Sequence, residues 1–120
     1  MKKTKMLKKN YEFKNVLQKQ NYYGGKQIEL FVMKNKQQEN FLGIAVSKKV
    51  ANSVERNRIK RYIREAYRNV EEQIKEGYNI VILWKRKVAV EKANYHDIRK
   101  DLLAIFKRAG MLKGENEWKK

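Results

Sequence analysis

Cysteine and proline are both absent from the 120 residues, and histidine occurs once, as His96. Without cysteine there is no disulfide, no thiol nucleophile and no thiolate-ligated zinc, which fits a reducing compartment. A lone histidine excludes an acid–base pair of histidines. No Gly-rich phosphate loop and no Ser-His-Asp set is recognisable. Long apolar runs are missing too. The longest, such as Ile80 to Trp84, fall far short of the roughly 20 residues a spanning helix needs. No apolar segment follows the basic N-terminus, as a signal peptide would require. These features point away from a membrane and toward the cytoplasm. There is no internal repeat and no low-complexity linker.

Negative charge is scarce relative to its opposite. Asp and Glu number 13 against 30 Lys and Arg, a formal net charge of +17. Hydrophobic residues still make up 42%, so the chain is no disordered polyelectrolyte. Its length suits a single domain over residues 1–120 with a real core. Such an excess of one sign repels itself in the compact state unless a polyanion offsets it. Nucleic acid is the first candidate, and a membrane surface the second.

Residues 1–9 read as a basic, mobile arm and residues 113–120 as a frayed tail. Phe13, Val16 and Leu17 have helical spacing within residues 10–20, a short first helix. Gly24 and Gly25 separate it from the next segment. Residues 27–33 alternate, with Ile28, Leu30 and Val32 on one side and Glu29, Phe31 and Met33 on the other, the pattern of a strand. A polar hairpin loop leads to a second strand over residues 41–47. Asn52 or Ser53 can cap the longest helix, expected over residues 54–75 and stopped by Gly77. Tyr78 to Trp84 is continuously apolar, the mark of a central strand buried on both faces. A basic connection follows over residues 85–92. Asn94 can cap a last helix running to about Ala109, with Ile98, Leu102, Ile105 and Phe106 as its apolar face. A short extra strand fits around residues 22–26. The expectation is α+β: a two-layer α/β sandwich with a mixed four-stranded sheet, in the order αβββαβα. The central helix makes a βαβ crossover, ordinarily right-handed.

Residues 46–68, VSKKVANSVERNRIKRYIREAYR, carry three Lys and five Arg. At ~100° per residue, Ile59, Tyr62, Ile63, Ala66, Tyr67, Val70 and Ile74 share an arc of roughly 140°, wide enough to bury against a sheet. Asn57, Lys60, Arg61, Arg64 and Arg68 share a neighbouring arc. Most charged helix faces are simply solvated, but those mix Glu with Lys at i,i+4, and this ridge has no acid within it. Arg56 and Arg58 lie in or beside the first turn, with Lys48 and Lys49 just upstream. Cations there oppose the helix dipole by ~0.3–1 kcal/mol each. A bound phosphate reverses that sign, because N–H groups, dipole and Arg forks then converge on it. A DNA major groove admits a helix, yet this helix must lie along a sheet, which suits RNA backbone better. Phe31, opposite the core-facing residues of its strand, is either a stacking platform for single-stranded bases or, like Phe13, packed beneath a helix.

The same segment closely resembles the signature of the bacterial ribonuclease P protein subunit, in Arg56-Asn57-Arg58, then Lys60-Arg61, then Arg64-Glu65. The resemblance extends to the first helix with Phe13, to the strand at residues 28–33 and to the apolar strand at residues 78–84, so it covers nearly the whole chain. It implies a sandwich whose crossover is left-handed, against the general rule. It also implies a large catalytic RNA partner, with which the protein removes the 5′ leader of precursor tRNA. The RNA would supply the active site with Mg²⁺, and the chain itself no catalytic residue. Arg56, Asn57, Arg58, Lys60, Arg61 and Arg64 match the positions that meet that RNA. Phe13 and Phe31 match the aromatic positions of a cleft for the single-stranded leader. Leu17 stands there where an aromatic is common, and Gln20 replaces a frequent glycine. No obligate protein partner and no membrane is implied. Two other classes stay open on the residues alone. One is a ribosomal or other structural RNA-binding protein. The other is a metal-dependent nuclease using Asp97 and Asp101, which stand i,i+4 on the last helix.

Overall fold

The apolar run Tyr78–Trp84 forms the middle strand of a five-stranded sheet in a computed structural model that describes residues 3–19 and 21–114. In chain order the elements are β1 (Thr4–Met6), α1 (Asn10–Gln18), β2 (Tyr22–Gly24), β3 (Ile28–Lys34), β4 (Asn40–Ala45), α2 (Ser53–Val70), β5 (Tyr78–Trp84) and α3 (Tyr95–Arg108). The sheet order is β1-β4-β5-β3-β2. β5 pairs with β4 in parallel and with β3 antiparallel. α2 is therefore the crossover between two adjacent parallel strands, as the sequence order requires.

Strand alternation divides the apolar residues between two clusters. Ile28, Leu30, Val32, Leu42, Ile44, Ile80 and Ile82 meet Ile59, Ile63, Tyr67 and Val70 of α2 and Ile98, Leu102, Ile105 and Phe106 of α3. Phe31, Met33, Phe41, Val81 and Leu83 belong to a smaller cluster with Leu7 and with Phe13, Val16 and Leu17 of α1. β5 is buried on both faces because each of its side-chain rows has a helix above it. The α+β class and mixed sheet hold. The sandwich is lopsided: α2 and α3 form a full layer on one face, while the nine-residue α1 lies on the other.

The four-stranded expectation and its αβββαβα order are corrected at the N-terminus. Residues 4–6 are no loose arm. They form β1, parallel to β4, in register Thr4 to Asn40 and Met6 to Leu42. Thr4 is buried, Lys5 exposed and Met6 half-buried, an alternation too short to register among the lysines. Tyr67 anchors this strand from α2, its hydroxyl 2.8 Å from Thr4 Oγ1. The tail is also partly fixed. The Lys113 amide donates to the Gln73 carbonyl at 2.6 Å, and its ammonium meets Glu76 at 2.7 Å. Residues 1 and 2 of the expected arm, residues 115–120 of the expected tail, and Gln20 lie outside the described residues. α2 stops at Val70, short of the expected residue 75. Glu71–Gln73 tightens to a 3₁₀ turn, because Ile74 goes on to bridge Leu112 and the Lys75 amide bonds the Met111 carbonyl.

Burial pushes the Tyr67 phenol up to about 12. A folded value above the ordinary ~10 favours the protonated form, so this contribution is complete below pH ~10 and fades as pH rises toward 12. Tyr67→Phe is expected to flatten that alkaline limb by roughly 1 kcal/mol at about pH 11, while costing about 1 kcal/mol at neutral pH for the lost hydrogen bond. Urea titrations of both proteins at the two pH values measure this, and parallel pH profiles would contradict it.

Candidate nucleic-acid interface

α2 begins with a capping box. The Asn52 side chain accepts from the Glu55 amide at 2.8 Å and the Glu55 carboxylate accepts from the Asn52 amide at 2.9 Å. Asn52, not Ser53, is the cap. Glu55 is also an acid in the first turn, favourable to the dipole, so the N-terminus is not as one-sidedly basic as its Arg count implies. The two arginines of this turn are engaged with the protein. Arg56 Nη1 donates to the Ala51 carbonyl at 2.9 Å and Arg58 Nη2 to the Val90 carbonyl at 3.1 Å. Arg58 Nε is buried with no acceptor among the described residues. Arg58 thereby ties α2 to the chain between β5 and α3. Its guanidinium is half-buried and only partly available to a ligand.

The remaining ridge is open. Asn57, Arg61 and Arg68 are exposed, Lys60 and Arg64 half-exposed, and Lys48 and Lys49 exposed in the loop before the helix. Among the described residues, only Arg61 of this set has an ion pair, with Glu65 at 3.9 Å. Both partners are well exposed, so the pair is worth little. Cations without protein counter-ions, grouped along one helix, make a surface suited to neutralising successive phosphates.

Phe13, Leu17 and Phe31 come together on the opposite sheet face. All three are half-buried in the cluster built on Leu7, Val16 and Val81. The two sequence readings of Phe13 and Phe31 therefore combine: each packs partly under α1 and keeps part of its ring open. The close approach of Phe13 depends on Gly43 of β4, where an added Cβ would collide with the ring. Beyond α1 the same face opens into a cavity of about 550 Å³ lined by Tyr22, Leu83 and Ser47, with Lys85, Arg86 and Lys87 among its walls. The Tyr22 and Phe31 rings lie 5.1 Å apart between centroids. Tyr22 and residues 85–87 were not marked as a site by sequence reasoning. An exposed aromatic in a short strand and a basic connection after the central strand were the available signals. Ser47 lines the cavity and Lys48, Lys49 and the α2 cap follow it directly, so one loop joins the two surfaces.

The acids of α3 are committed elsewhere. Asp101 is buried, and its carboxylate accepts from the amides of Lys26, Gln27 and Ile28 at 2.8, 2.8 and 3.0 Å. Asp97 accepts from Asn94 Nδ2 at 2.9 Å within the N-terminal cap of the helix. The two still line one cavity, with Lys26, Gln27 and Lys100. Among the described residues no three His, Cys, Asp or Glu side chains gather as metal ligands. None of the described helices is long and apolar enough to cross a membrane.

The profile of the Ribonuclease P family matches residues 1–110. The chain is 38% identical over 112 residues to a "Ribonuclease P protein component" of Bacillus cereus strain B4264, covering 92% of this chain and 96% of that protein. The protein of the same name from Bacillus anthracis is also 38% identical, with 92% of each covered. In three dimensions it is similar to the RNase P protein of Staphylococcus aureus, with a TM-score of 0.78, 28% identity, and 90% of this chain and 97% of that chain covered. Similarity to the RNase P protein of Thermotoga maritima has a TM-score of 0.78 at 25% identity, over 87% and 96% of the two chains.

Proposed function

Because the chain belongs to the ribonuclease P protein family, a subunit of the ribonucleoprotein that matures the 5′ end of tRNA, we propose that it works through two separate RNA surfaces. The first is the α2 ridge of Asn57, Lys60, Arg61, Arg64 and Arg68 with Lys48 and Lys49, which docks on the ribonuclease P RNA. Arg56 and Arg58 contribute partly to that contact and partly to holding the loops around it. The second is the cleft of Phe13, Leu17 and Phe31 with its basic mouth at residues 85–87, which holds the single-stranded 5′ leader of precursor tRNA. Aromatic faces there stack bases of any identity, and the cations track the backbone.

The observation that carries this reading is the arrangement on opposite sheet faces: cations along one helix, all but Arg61 without an ion pair among the described residues, and an aromatic-lined groove behind it. Cutting belongs to the RNA, with Mg²⁺ held there. The protein binds, orients and lowers repulsion between clustered phosphates. The setting is the cytoplasm, where precursor tRNA is made.

Reconstitution tests the proposal. Protein alone is expected to cleave nothing. With its RNA it should cut precursor tRNA once, at the leader junction, at a lower Mg²⁺ concentration than the RNA needs alone. Cleavage by RNA-free protein, or an unchanged Mg²⁺ requirement, would overturn it.

A further inference from the structure

One acid stands among the cations at the mouth of the cleft, and its setting is built. Glu29 of β3 lines the cavity that also presents Lys85, Arg86 and Lys87, yet it forms no ion pair among the described residues. Instead the Tyr22 hydroxyl donates to Glu29 Oε2 at 2.7 Å. Tyr22 faces Phe31 across the β2–β3 pair, and Gly24 faces Glu29. A Cβ on Gly24 would lie 2.7 Å from Tyr22 Oη, so the bare glycine is the seat over which the phenol reaches its partner. That hydrogen bond is the first cause holding the phenol above its ordinary value.

A carboxylate facing a polyanion costs affinity unless it meets a hydrogen-bond donor. Nucleobases carry such donors on their Watson–Crick edges, and single-stranded bases are read there. A carboxylate only accepts. Cytosine, adenine and guanine each offer an exocyclic amine. Uracil offers one ring N–H flanked by two carbonyl oxygens, which repel the carboxylate. Beside Glu29, the exposed Tyr22 ring and the half-buried Phe31 ring, 5.1 Å apart between centroids, offer a surface for stacking a base.

We propose that Glu29, positioned by Tyr22 over Gly24, reads one base of the leader and selects an amine-bearing base over uracil. This rests on the leader-cleft reading above and adds a sequence preference to it.

The test uses holoenzyme reconstituted with its RNA and precursor tRNAs carrying cytosine or uracil at one leader position at a time. These bases differ chiefly in the amine against the carbonyl at this edge. At one position cytosine is expected to bind on the order of tenfold more tightly than uracil, the worth of a hydrogen bond to a charged group. Glu29→Gln should abolish the preference, since an amide both donates and accepts: binding of the cytosine leader should fall toward that of the uracil leader, with precursor still favoured over leaderless tRNA. Tyr22→Phe keeps the ring and should weaken the preference without abolishing it. Equal binding of cytosine and uracil at every position, or an unchanged preference in Glu29→Gln, overturns the proposal. If the wild-type holoenzyme does not favour precursor over leaderless tRNA at all, the cleft reading itself falls. If it favours precursor without base choice, only the role of Glu29 falls.

Discussion

Replacing Lys60 and Arg64 together by Ala is expected to weaken binding to the ribonuclease P RNA by roughly 100-fold at about 0.1 M salt. Neither side chain has a counter-ion among the described residues, so removing it leaves no such partner unpaired and the loss is that of the RNA contact. Two charge-assisted contacts at ~1.5 kcal/mol each give that factor. The salt dependence should change as well. If about six phosphates are neutralised, the log–log slope for the wild type is roughly −4 to −5, and the double variant should lose about 1.5 of it. Stability should hardly move, because Ala is the best helix former and both sites face outward. Arg58→Ala is the contrasting case. It removes the tie to the Val90 carbonyl, so part of its effect should appear in the melting temperature of the free protein. Filter-binding titrations over a salt series measure the first result. A wild-type slope in the double variant would place the RNA elsewhere.

Asp101→Ala should produce the largest loss of stability, about 3–4 kcal/mol. The side chain is 7% exposed and accepts three amide bonds from the turn between β2 and β3. Removing it strands donors at ~1–3 kcal/mol each, moderated where water reaches them. This is a large share of the ~5–15 kcal/mol that holds a typical domain together. Gly25 completes the arrangement, since a Cβ there would collide with the carboxylate. Asp101→Asn keeps one acceptor and should cost about half as much. Because the same turn sets β2, and with it Tyr22, the Asn variant should also bind the leader less selectively while still folded. Urea denaturation measures the first effect, and a loss below about 1 kcal/mol would show that the turn holds without its carboxylate.

Asp101 illustrates where sequence reading ran out. Spacing places Asp97 and Asp101 on one side of α3, and such acids are usually solvated. The amides that Asp101 binds lie more than 70 residues away in sequence, and no local pattern announces them. Arg58 shows the same limit: the carbonyl 32 residues on that takes part of its fork is announced by no local motif. The longer elements were legible because their period repeats often enough to be unambiguous. β5, the alternation of β3 and the apolar stripe of α2 belong to this group. β1 has three residues, too few for a period, and its inward Thr4 is polar. The side of the sheet that α1 covers was also hidden. A helix with few apolar residues fits either face, and the choice falls to Phe13 meeting the bare backbone of Gly43. The acid-free ridge was readable by elimination, because absent counter-charges are visible in sequence. The mouth of the cleft was not, since it is assembled from β2, β4 and the chain after β5.

The separation of the two RNA surfaces is most directly tested by one comparison of holoenzymes carrying Phe31→Leu or Arg64→Ala. Leu preserves most of the packing of Phe31 against α1 and removes its π face. Phe31→Leu is expected to weaken precursor tRNA binding by roughly 5- to 10-fold, a stacking loss of ~1–1.4 kcal/mol. Binding of leaderless tRNA and assembly with the RNA subunit should stay unchanged. Arg64→Ala should weaken assembly and, once assembly is forced at high protein concentration, leave the precursor advantage intact. Equal losses on precursor and leaderless tRNA for Phe31→Leu, or loss of the precursor advantage in fully assembled Arg64→Ala, would contradict the account.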